Sequence, residues 1–197
     1  MKVKIQKMHQ LGNGPFIKTT VESLSRKHAL ETRRVYEVSE MKIANSPSQL
    51  EAMTGLVYVS PYNNVGPYVM LDDSEIYRVA PHAGVDVDTI ALNAIQRRLL
   101  VKFAGDDVNV SNIHIPMDKE FTFKNLTVKT EYVKSYPDHA FPDSAELANA
   151  FKTQFEGHVL QPNQKVIMQH NNESFLLTVQ SDMTGLVCNT TRVSINF

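Results

Sequence analysis

The sequence of 197 residues is poor in cysteine and has no excess of charge of either sign. Its single cysteine, Cys188, cannot form an internal disulfide, and chains without disulfides are typical of a reducing compartment. Twenty Lys and Arg against 21 Asp and Glu give a net charge of −1, which argues against binding a polyanion through the overall field of the protein. We therefore expect a cytoplasmic protein that does not bind nucleic acid.

Long apolar runs are also absent. No stretch approaches the roughly 18 consecutive apolar residues of a membrane-spanning helix. Residues 1–14 are mixed and polar, and they lack the apolar run of about 7 to 15 residues that marks a secretory signal. The glycosylation sequons at Asn125, Asn172 and Asn189 are accordingly expected to stay unmodified, and we expect no insertion of the chain into a membrane.

The motifs of common enzymes are missing as well. None of the eight glycines opens the GxxxxGK[ST] pattern of a P-loop ATPase, and the seven histidines lack HxxxH spacing or a CxxC partner for zinc. Cys188 has no basic neighbour before Arg192, which favours a buried, inert thiol over a nucleophile. The acidic pairs beginning at Asp72, Asp86 and Asp106 coincide with predicted turns, which Asp favours because its side chain bonds the backbone. We expect no catalytic site, metal or cofactor.

Short apolar segments separated by Gly, Pro, Asn and Asp dominate residues 35–112. Segments of this kind are typical of β-strands bounded by turns. The predicted strands are Leu56–Ser60, Tyr68–Leu71, Ile76–Val79, Thr89–Leu92, Leu99–Phe103 and Val108–Ser111. Six such strands indicate a small β-barrel, which we place at residues 35–112.

Residues 113–197 predict a smaller α/β subdomain, in which the clearest signal is a helix near residues 144–156. Asp143 and Glu146 have the spacing of an N-cap pair, and Gly157 is a typical helix stop. The apolar residues between them recur at i, i+4 and i+8, which places on one helix face Leu147, Phe151 and Phe155.

Alternating and turn-bounded segments predict the strands of the same subdomain. The run Phe121–Val133 alternates strongly between apolar and polar residues. Two hairpins are predicted beyond the helix. Their paired strands are Val166–Gln169 with Ser174–Val179, and Leu186–Cys188 with Arg192–Ile195.

Residues 1–34 are predicted to form an N-terminal extension. Thr19 and Glu22 have capping-box spacing, and apolar Val21 and Leu24 lie on one face of the helix that they would begin. We predict a short amphipathic helix at Thr19–Arg34.

One adjacent basic pair stands out in this charge-balanced sequence, namely Arg97 and Arg98 after Gln96. Surface arginines are commonly no more than solvated edge residues. Two guanidinium groups together can also recognise an acidic partner, because each forks onto a carboxylate in fixed geometry. The cations that would complete such a docking patch are Lys102, Lys129, Lys134, Arg33 and Arg34.

Three further segments carry a resemblance to a known family. They are Leu56-Val-Tyr-Val-Ser-Pro-Tyr-Asn-Asn64, Asp88-Thr-Ile-Ala-Leu-Asn-Ala-Ile-Gln-Arg-Arg98 and Gly105-Asp-Asp-Val108. Their order and spacing resemble the amino-terminal domain of N-ethylmaleimide-sensitive factor, the vesicle-fusing ATPase. The helix from Asp143 and the following Leu160-Gln-Pro-Asn-Gln164 also look like this family, so that the resemblance covers about residues 41–197.

The resemblance implies a double-psi β-barrel followed by a smaller α/β subdomain. In the family, a groove between the two docks soluble attachment proteins bound to SNARE complexes, for SNARE disassembly in vesicle fusion and membrane traffic. The family's partner-binding positions carry over to Arg97 and Arg98, to Lys134, and to Arg33 or Arg34. ATP hydrolysis belongs to AAA ATPase modules outside this chain, so the chain itself is expected to be no enzyme.

The chain departs from the family pattern at two places. Leu99-Leu100 follow the basic pair where the family commonly has an aromatic residue and a glycine, and Ser135 follows Lys134 where a second lysine is common. The groove is therefore expected to carry less positive charge than is usual in the family.

Other functions stay open at this point. A related N domain, that of valosin-containing protein, binds ubiquitin-pathway cofactors through an apolar groove. A stand-alone copy of the recognition domain would compete with the full ATPase. Double-psi barrels also build decarboxylases and molybdopterin oxidoreductases, but this sequence has no Gly-Ser pair for self-cleavage, and Cys188 is isolated.

Overall fold

The computed structural model describes residues 38–116, 120–133 and 142–197. Its first part consists of six strands and two short helices. In chain order these are β1 (Val38–Asn45), α1 (Gln49–Ala52), β2 (Val57–Val59), β3 (Tyr68–Leu71), β4 (Glu75–Pro81), β5 (Thr89–Leu92), α2 (Ala94–Leu100) and β6 (Asp107–Asn112).

The six strands form a closed barrel in the order β1-β5-β2-β4-β3-β6, and β1 pairs with β6 to close it. The pairs β1·β5 and β2·β4 are parallel, and the other pairs are antiparallel. Closure leaves no open sheet edge, and the interior is filled by apolar side chains from every strand. Fully buried members include Val57, Val69, Leu71, Ile90 and Leu92.

The barrel confirms five of the six predicted strands and corrects the sixth. Leu99–Phe103 is not a strand, because α2 continues to Leu100 and is followed by a loop. The helix begins with a capping box in which Asn93 and Gln96 each accept a hydrogen bond from the other's backbone N–H. The missing sixth strand is β1, in which Met41 and Ile43 are buried.

Over its described residues, the second part contains one helix and six strands. In chain order these are β7 (Asn125–Tyr132), α3 (Ser144–Phe155), β8 (Val159–Leu160), β9 (Lys165–His170), β10 (Glu173–Gln180), β11 (Gly185–Leu186) and β12 (Arg192–Asn196). Four strands form a sheet in the order β12-β7-β10-β9, and β8 pairs separately with β11.

Helix α3 confirms the strongest sequence signal to within one residue. The Asp143 side chain accepts hydrogen bonds from the N–H groups of Ala145 and Glu146, which satisfies donors that the first turn leaves unpaired. Gly157 has a φ of 78°, a left-handed conformation that ends the helix. The helix packs its apolar face on the four-stranded sheet through the fully buried residues Leu147, Phe151 and Phe155.

One of the two predicted hairpins is confirmed and the other is wrong. Strands β9 and β10 pair across a two-residue loop, where Asn171 and Asn172 both have the positive φ that a type I′ turn requires. Strands β11 and β12 do not pair with each other. The hydroxyl of Thr191 accepts from the Cys188 N–H and donates to the Phe123 carbonyl, so the chain crosses to β7 and β12 runs parallel to it.

The two parts share an apolar cluster. Tyr68, Met70 and Ile76 of the barrel pack against residues of the second part, which are Ile113, Ile115, Phe121, Val159 and Leu186. The fold is thus mainly β, with a closed six-stranded barrel beside a small α/β layer. The boundaries at residues 35–112 and 113–197 stay a prediction, and the N-terminal extension with its helix at 19–34 lies outside the described residues. No helix in the described ranges is long and apolar enough to cross a membrane.

Candidate partner-binding surface

Two barrel side chains hold the turn that follows helix α3. The Arg78 guanidinium on β4 donates to the carbonyl oxygen of Glu156 at 2.8 Å, and the Tyr68 hydroxyl on β3 donates to that of Gly157 at 2.7 Å. Both carbonyls follow the end of a helix, where no intrahelical N–H is available to them. The barrel therefore supplies the hydrogen bonds that this turn needs.

Glutamine amides make further links across the junction. The Gln161 amide donates to the Ser74 carbonyl at 2.8 Å and accepts from the Ile76 N–H at 2.7 Å. From α3, Gln154 donates across the junction to the carbonyl of Met53 at 2.5 Å, and within the second part to that of Ile167 on β9. These contacts join the second part to two separate segments of the barrel. They fix the orientation of the two parts, since each bond has its own geometric requirement.

A groove of about 740 Å³ lies along this junction. Its barrel wall is mostly apolar, with Leu50, Met53, Leu56, Val79 and Ala80 beside the polar residues Thr54 and Arg78. Its other wall is polar and consists of Thr153, Gln154, Glu156, His158 and Gln169. Arg78 is the one cation among the described lining residues, and neither Arg97 nor Arg98 is among them. The groove itself is therefore not a basic one.

His158 lies buried in this groove. Burial lowers its pKa to about 4, and the nearby charge of Arg78 acts in the same direction. Carbonyl groups of Phe155, Glu156 and Thr54 favour the protonated form, yet neither ring nitrogen has a partner of normal hydrogen-bond geometry among the described residues. The imidazole is therefore neutral at physiological pH.

The basic pair lies on α2, and the structure gives its two members different environments. Arg97 is half-buried and donates to the carbonyl oxygen of Leu92 at 2.5 Å, so it braces the start of its own helix. The Arg98 side chain is exposed and makes no hydrogen bond or ion pair with any residue that the structure describes. Adjacent residues on a helix do not share a face, which explains the difference. Of the two arginines, Arg98 is the one whose side chain is available to an acidic partner.

Buried hydrogen bonds of Gln96 anchor helix α2 to the rest of the barrel part. The buried Gln96 amide donates to the carbonyl oxygens of Gly55 and Leu56, and the Asn93 amide donates to that of Ala52. These bonds hold α2 on the segment that joins α1 to β2. The position of Arg98 is therefore fixed by the barrel.

The other predicted members of the basic patch do not gather around Arg98 as free charges. Lys102 pairs with Asp72 at 3.3 Å, and Lys129 pairs with Glu131 at 2.7 Å. Their charges are therefore already compensated. The remaining predicted residues lie outside the described part of the chain, namely Lys134, Arg33 and Arg34.

The sequence did not reveal the most exposed apolar residues beside α2. Val101 is 84% exposed and Phe103 is 76% exposed, and both lie in the loop that follows the helix. The sequence predicts a strand at Leu99–Phe103, because this segment is apolar and bounded by turn residues, and a strand of the barrel would have one face covered. The available clue is the N-cap signal of Asn93 and Gln96. A helix that begins there ends before the loop and leaves Val101 and Phe103 outside any strand.

The sequence predicts turns at the acidic pairs and a buried strand position for Cys188, and the structure tests both predictions. Asp72, Asp73 and Asp88 lie in turns and have positive φ, which confirms the turn prediction for these residues, whereas Asp107 is the first residue of β6, so the prediction is wrong there. Cys188 is half-buried and follows the end of β11, so its prediction as a buried strand residue is wrong. Hydroxyls of Thr190 and Thr191 near its sulfur lower the pKa of the thiol. Within the described ranges no group of three or more His, Cys, Asp or Glu is placed to hold a metal ion.

Comparison with known proteins agrees with the resemblance noted in the sequence. The chain is 32% identical over 158 residues to a vesicle-fusing ATPase of Arabidopsis thaliana, an alignment that covers 76% of this chain and 21% of that protein. No family model matches the chain. The chain thus spans about a fifth of the length of the relative, and it is related to a part of the vesicle-fusing ATPase.

Proposed function

We propose that this chain is an N domain of the vesicle-fusing ATPase type, which acts in the cytoplasm and docks soluble attachment proteins on SNARE complexes for SNARE disassembly. The observation that carries the proposal is the partial match to the vesicle-fusing ATPase. ATP hydrolysis would then belong to AAA ATPase modules outside this chain. A chain working without such modules would act as a competitor of the full enzyme.

The architecture supports this proposal. Strand β5 lies between the consecutive strands β1 and β2, and β4 lies between β2 and β3. Interleaved strands of this kind are what a double-psi barrel requires, and we propose that topology here. The barrel meets an α/β layer along a groove with fixed geometry, which suits a rigid recognition module.

The proposed contact with the attachment protein centres on Arg98. An exposed guanidinium without a carboxylate partner can fork onto an acidic residue of another protein. Such a contact speeds encounter and is weakened by salt, because exposed charges are screened over a Debye length of about 8 to 10 Å. Arg97 would assist by bracing α2, and Lys134, Arg33 and Arg34 are proposed as further contacts.

The test is a titration of wild type and Arg98→Glu against a soluble attachment protein assembled with its SNARE bundle. We expect the wild type to bind with an affinity that falls as salt rises, and the variant to bind about tenfold more weakly or worse. Arg192→Glu is the matched control, because Arg192 is an exposed arginine on β12. Wild type that does not bind, or equal binding by Arg98→Glu, would reject the proposal.

A second candidate function is favoured by the apolar barrel wall of the groove. In that alternative the chain is an N domain of the valosin-containing-protein type, which binds a ubiquitin-pathway cofactor between its two parts. Leu50 on α1 is 76% exposed and lines this groove. Leu50→Glu would then abolish cofactor binding, whereas Arg98→Glu would leave it unchanged.

A further inference from the structure

The C-cap of helix α2 has an unusual conformation for its residue type. Val101 has φ 55° and ψ 44°, in the left-handed region, and its N–H donates to the carbonyl of Arg98 at 3.2 Å. Glycine and asparagine are favoured at this position, because a left-handed backbone brings Cβ too close to the following carbonyl. A β-branched residue there is a genuine outlier. Val101 therefore destabilises the fold locally.

Burial does not compensate for this conformation. The Val101 side chain is 84% exposed, so it gains almost nothing from removal of apolar surface from water. Backbone outliers that folding does not explain tend to occur at sites of function. The outlier therefore points to a role outside the fold.

The loop that follows Val101 is held in place by hydrogen bonds. The Phe103 N–H donates to the Asp106 carboxylate at 2.8 Å, and the Gly105 N–H donates to the Ile43 carbonyl on β1 at 2.7 Å. Lys102 reaches the Asp107 carbonyl at 2.9 Å. The exposed Phe103 ring is thus carried by an anchored loop.

Three exposed side chains, Arg98, Val101 and Phe103, thus lie within six consecutive residues at the C-terminal end of α2 and in the loop that follows, and we call this segment the α2 knob. It combines two exposed apolar side chains with a guanidinium that has no partner among the described residues. Arginine and aromatic residues are the types that dominate binding energy in protein interfaces, and their neighbours exclude water from the contact.

We propose that the α2 knob inserts into an apolar recess flanked by carboxylates on the attachment protein. This inference rests on the proposed function and names the chemistry of the contact. Charge complementarity identifies the flanking groups, because Arg98 has no acidic partner in the described part of its own chain, whereas Lys102 is already paired with Asp72. Arg98 guides the encounter, and Val101 and Phe103 provide contacts that persist at high salt.

Val101→Gly gives the sharpest test, since stability and binding should change in opposite directions. Glycine relieves the left-handed strain, so the urea midpoint should rise. Loss of the apolar side chain should weaken binding to the attachment protein with its SNARE bundle by about tenfold. Unchanged or tighter binding by this variant would overturn the proposal.

Phe103→Ala should weaken binding by a similar factor without a change in the urea midpoint, because the ring is exposed. Its effect should persist at high salt, whereas the effect of Arg98→Glu should shrink. Tyr62→Ala is the matched control, since Tyr62 is an aromatic residue of the barrel that is 88% exposed. This control should bind as well as wild type.

The outcomes separate the two proposals. If Arg98→Glu weakens binding while Val101→Gly and Phe103→Ala bind as wild type, the proposed role of the α2 knob is wrong and the proposed function stands. If wild type does not bind the attachment protein, both proposals fail. If all three variants bind more weakly and Tyr62→Ala does not, the knob is confirmed.

Discussion

The guanidinium of Arg78 lies where a side chain on Gly157 would have to be. A Cβ at Gly157 would be 2.7 Å from Arg78 Nη1, the same nitrogen that donates to the Glu156 carbonyl. Real Cβ atoms do not approach other atoms this closely. The link between barrel and helix α3 therefore depends on a glycine at this turn.

Gly157→Ala should lower the free energy of unfolding by about 2 to 4 kcal/mol, because it combines left-handed backbone strain with loss of the Arg78 contact. Gly105→Ala is the control. Its φ of 96° is also positive, but nothing lies within 4 Å of an added Cβ. Urea midpoints of both variants check the prediction, and equal losses would show that the Arg78 contact contributes nothing.

His158 should make stability depend on pH. Its pKa is about 4 in the folded protein against about 6.5 when unfolded, so the unfolded state binds the proton more tightly. The contribution of His158 is present above pH 6.5 and is lost as pH falls towards 4. Between pH 7 and pH 5 the free energy of unfolding should drop by about 2 kcal/mol from this residue alone.

Denaturant titrations of wild type and His158→Gln at both pH values check this effect. Glutamine has no titrating group, so the variant should show a smaller loss between pH 7 and pH 5. An identical loss in both proteins would contradict the assignment of the pH dependence to His158.

The two arginines of α2 should differ in what they stabilise. Arg97→Ala removes the bond to the Leu92 carbonyl and should cost about 1 to 3 kcal/mol of stability. Arg98→Ala should stay within about 0.5 kcal/mol, because Arg98 is exposed and unpaired among the described residues. Thermal or urea unfolding of the single variants checks this, and similar losses would contradict it. A double variant with Glu at both positions would not separate the stability effect of Arg97 from the effect of Arg98.

Phe155→Ala should cost about 3 to 5 kcal/mol, since the ring is fully buried against Phe151, with ring centroids 4.7 Å apart. Phe103→Ala is the same substitution at an exposed site and should be nearly neutral. Because both variants replace Phe by Ala, the difference between their urea midpoints reports the contribution of burial at position 155. Equal midpoints would show that the apolar face of α3 does not form core.

Local signals account for what the sequence predicted well. Helix α3 has an N-cap, an apolar face and a glycine stop within fifteen consecutive residues, Asp143 to Gly157, so no distant contact is needed to define it. Strand β1 has no comparable signal. It is a strand because it pairs with β5 and β6, for example through Met41 opposite Val108 on the adjacent strand β6, and a local sequence window does not show such a partner.

The candidate partner-binding surface likewise depends on contacts that a local sequence window does not show. Composition is enough to find the basic pair. The hydrogen bond of Arg97 to the Leu92 carbonyl depends on helix α2, where the sequence predicts no helix. The left-handed Val101 contradicts the preference of its residue type, so propensity predicts against it. The bonds of Gln154 and Gln161 across the junction depend on how two distant segments meet, which no local pattern encodes.

The bonds of Arg78, Tyr68 and Gln161 across the junction are complete without any ligand. A partner that enters the groove therefore meets walls that are already in their final arrangement, and little backbone entropy is lost on binding. Association should then proceed in a single kinetic phase whose rate rises linearly with partner concentration, since no slow rearrangement of these walls has to precede or follow contact.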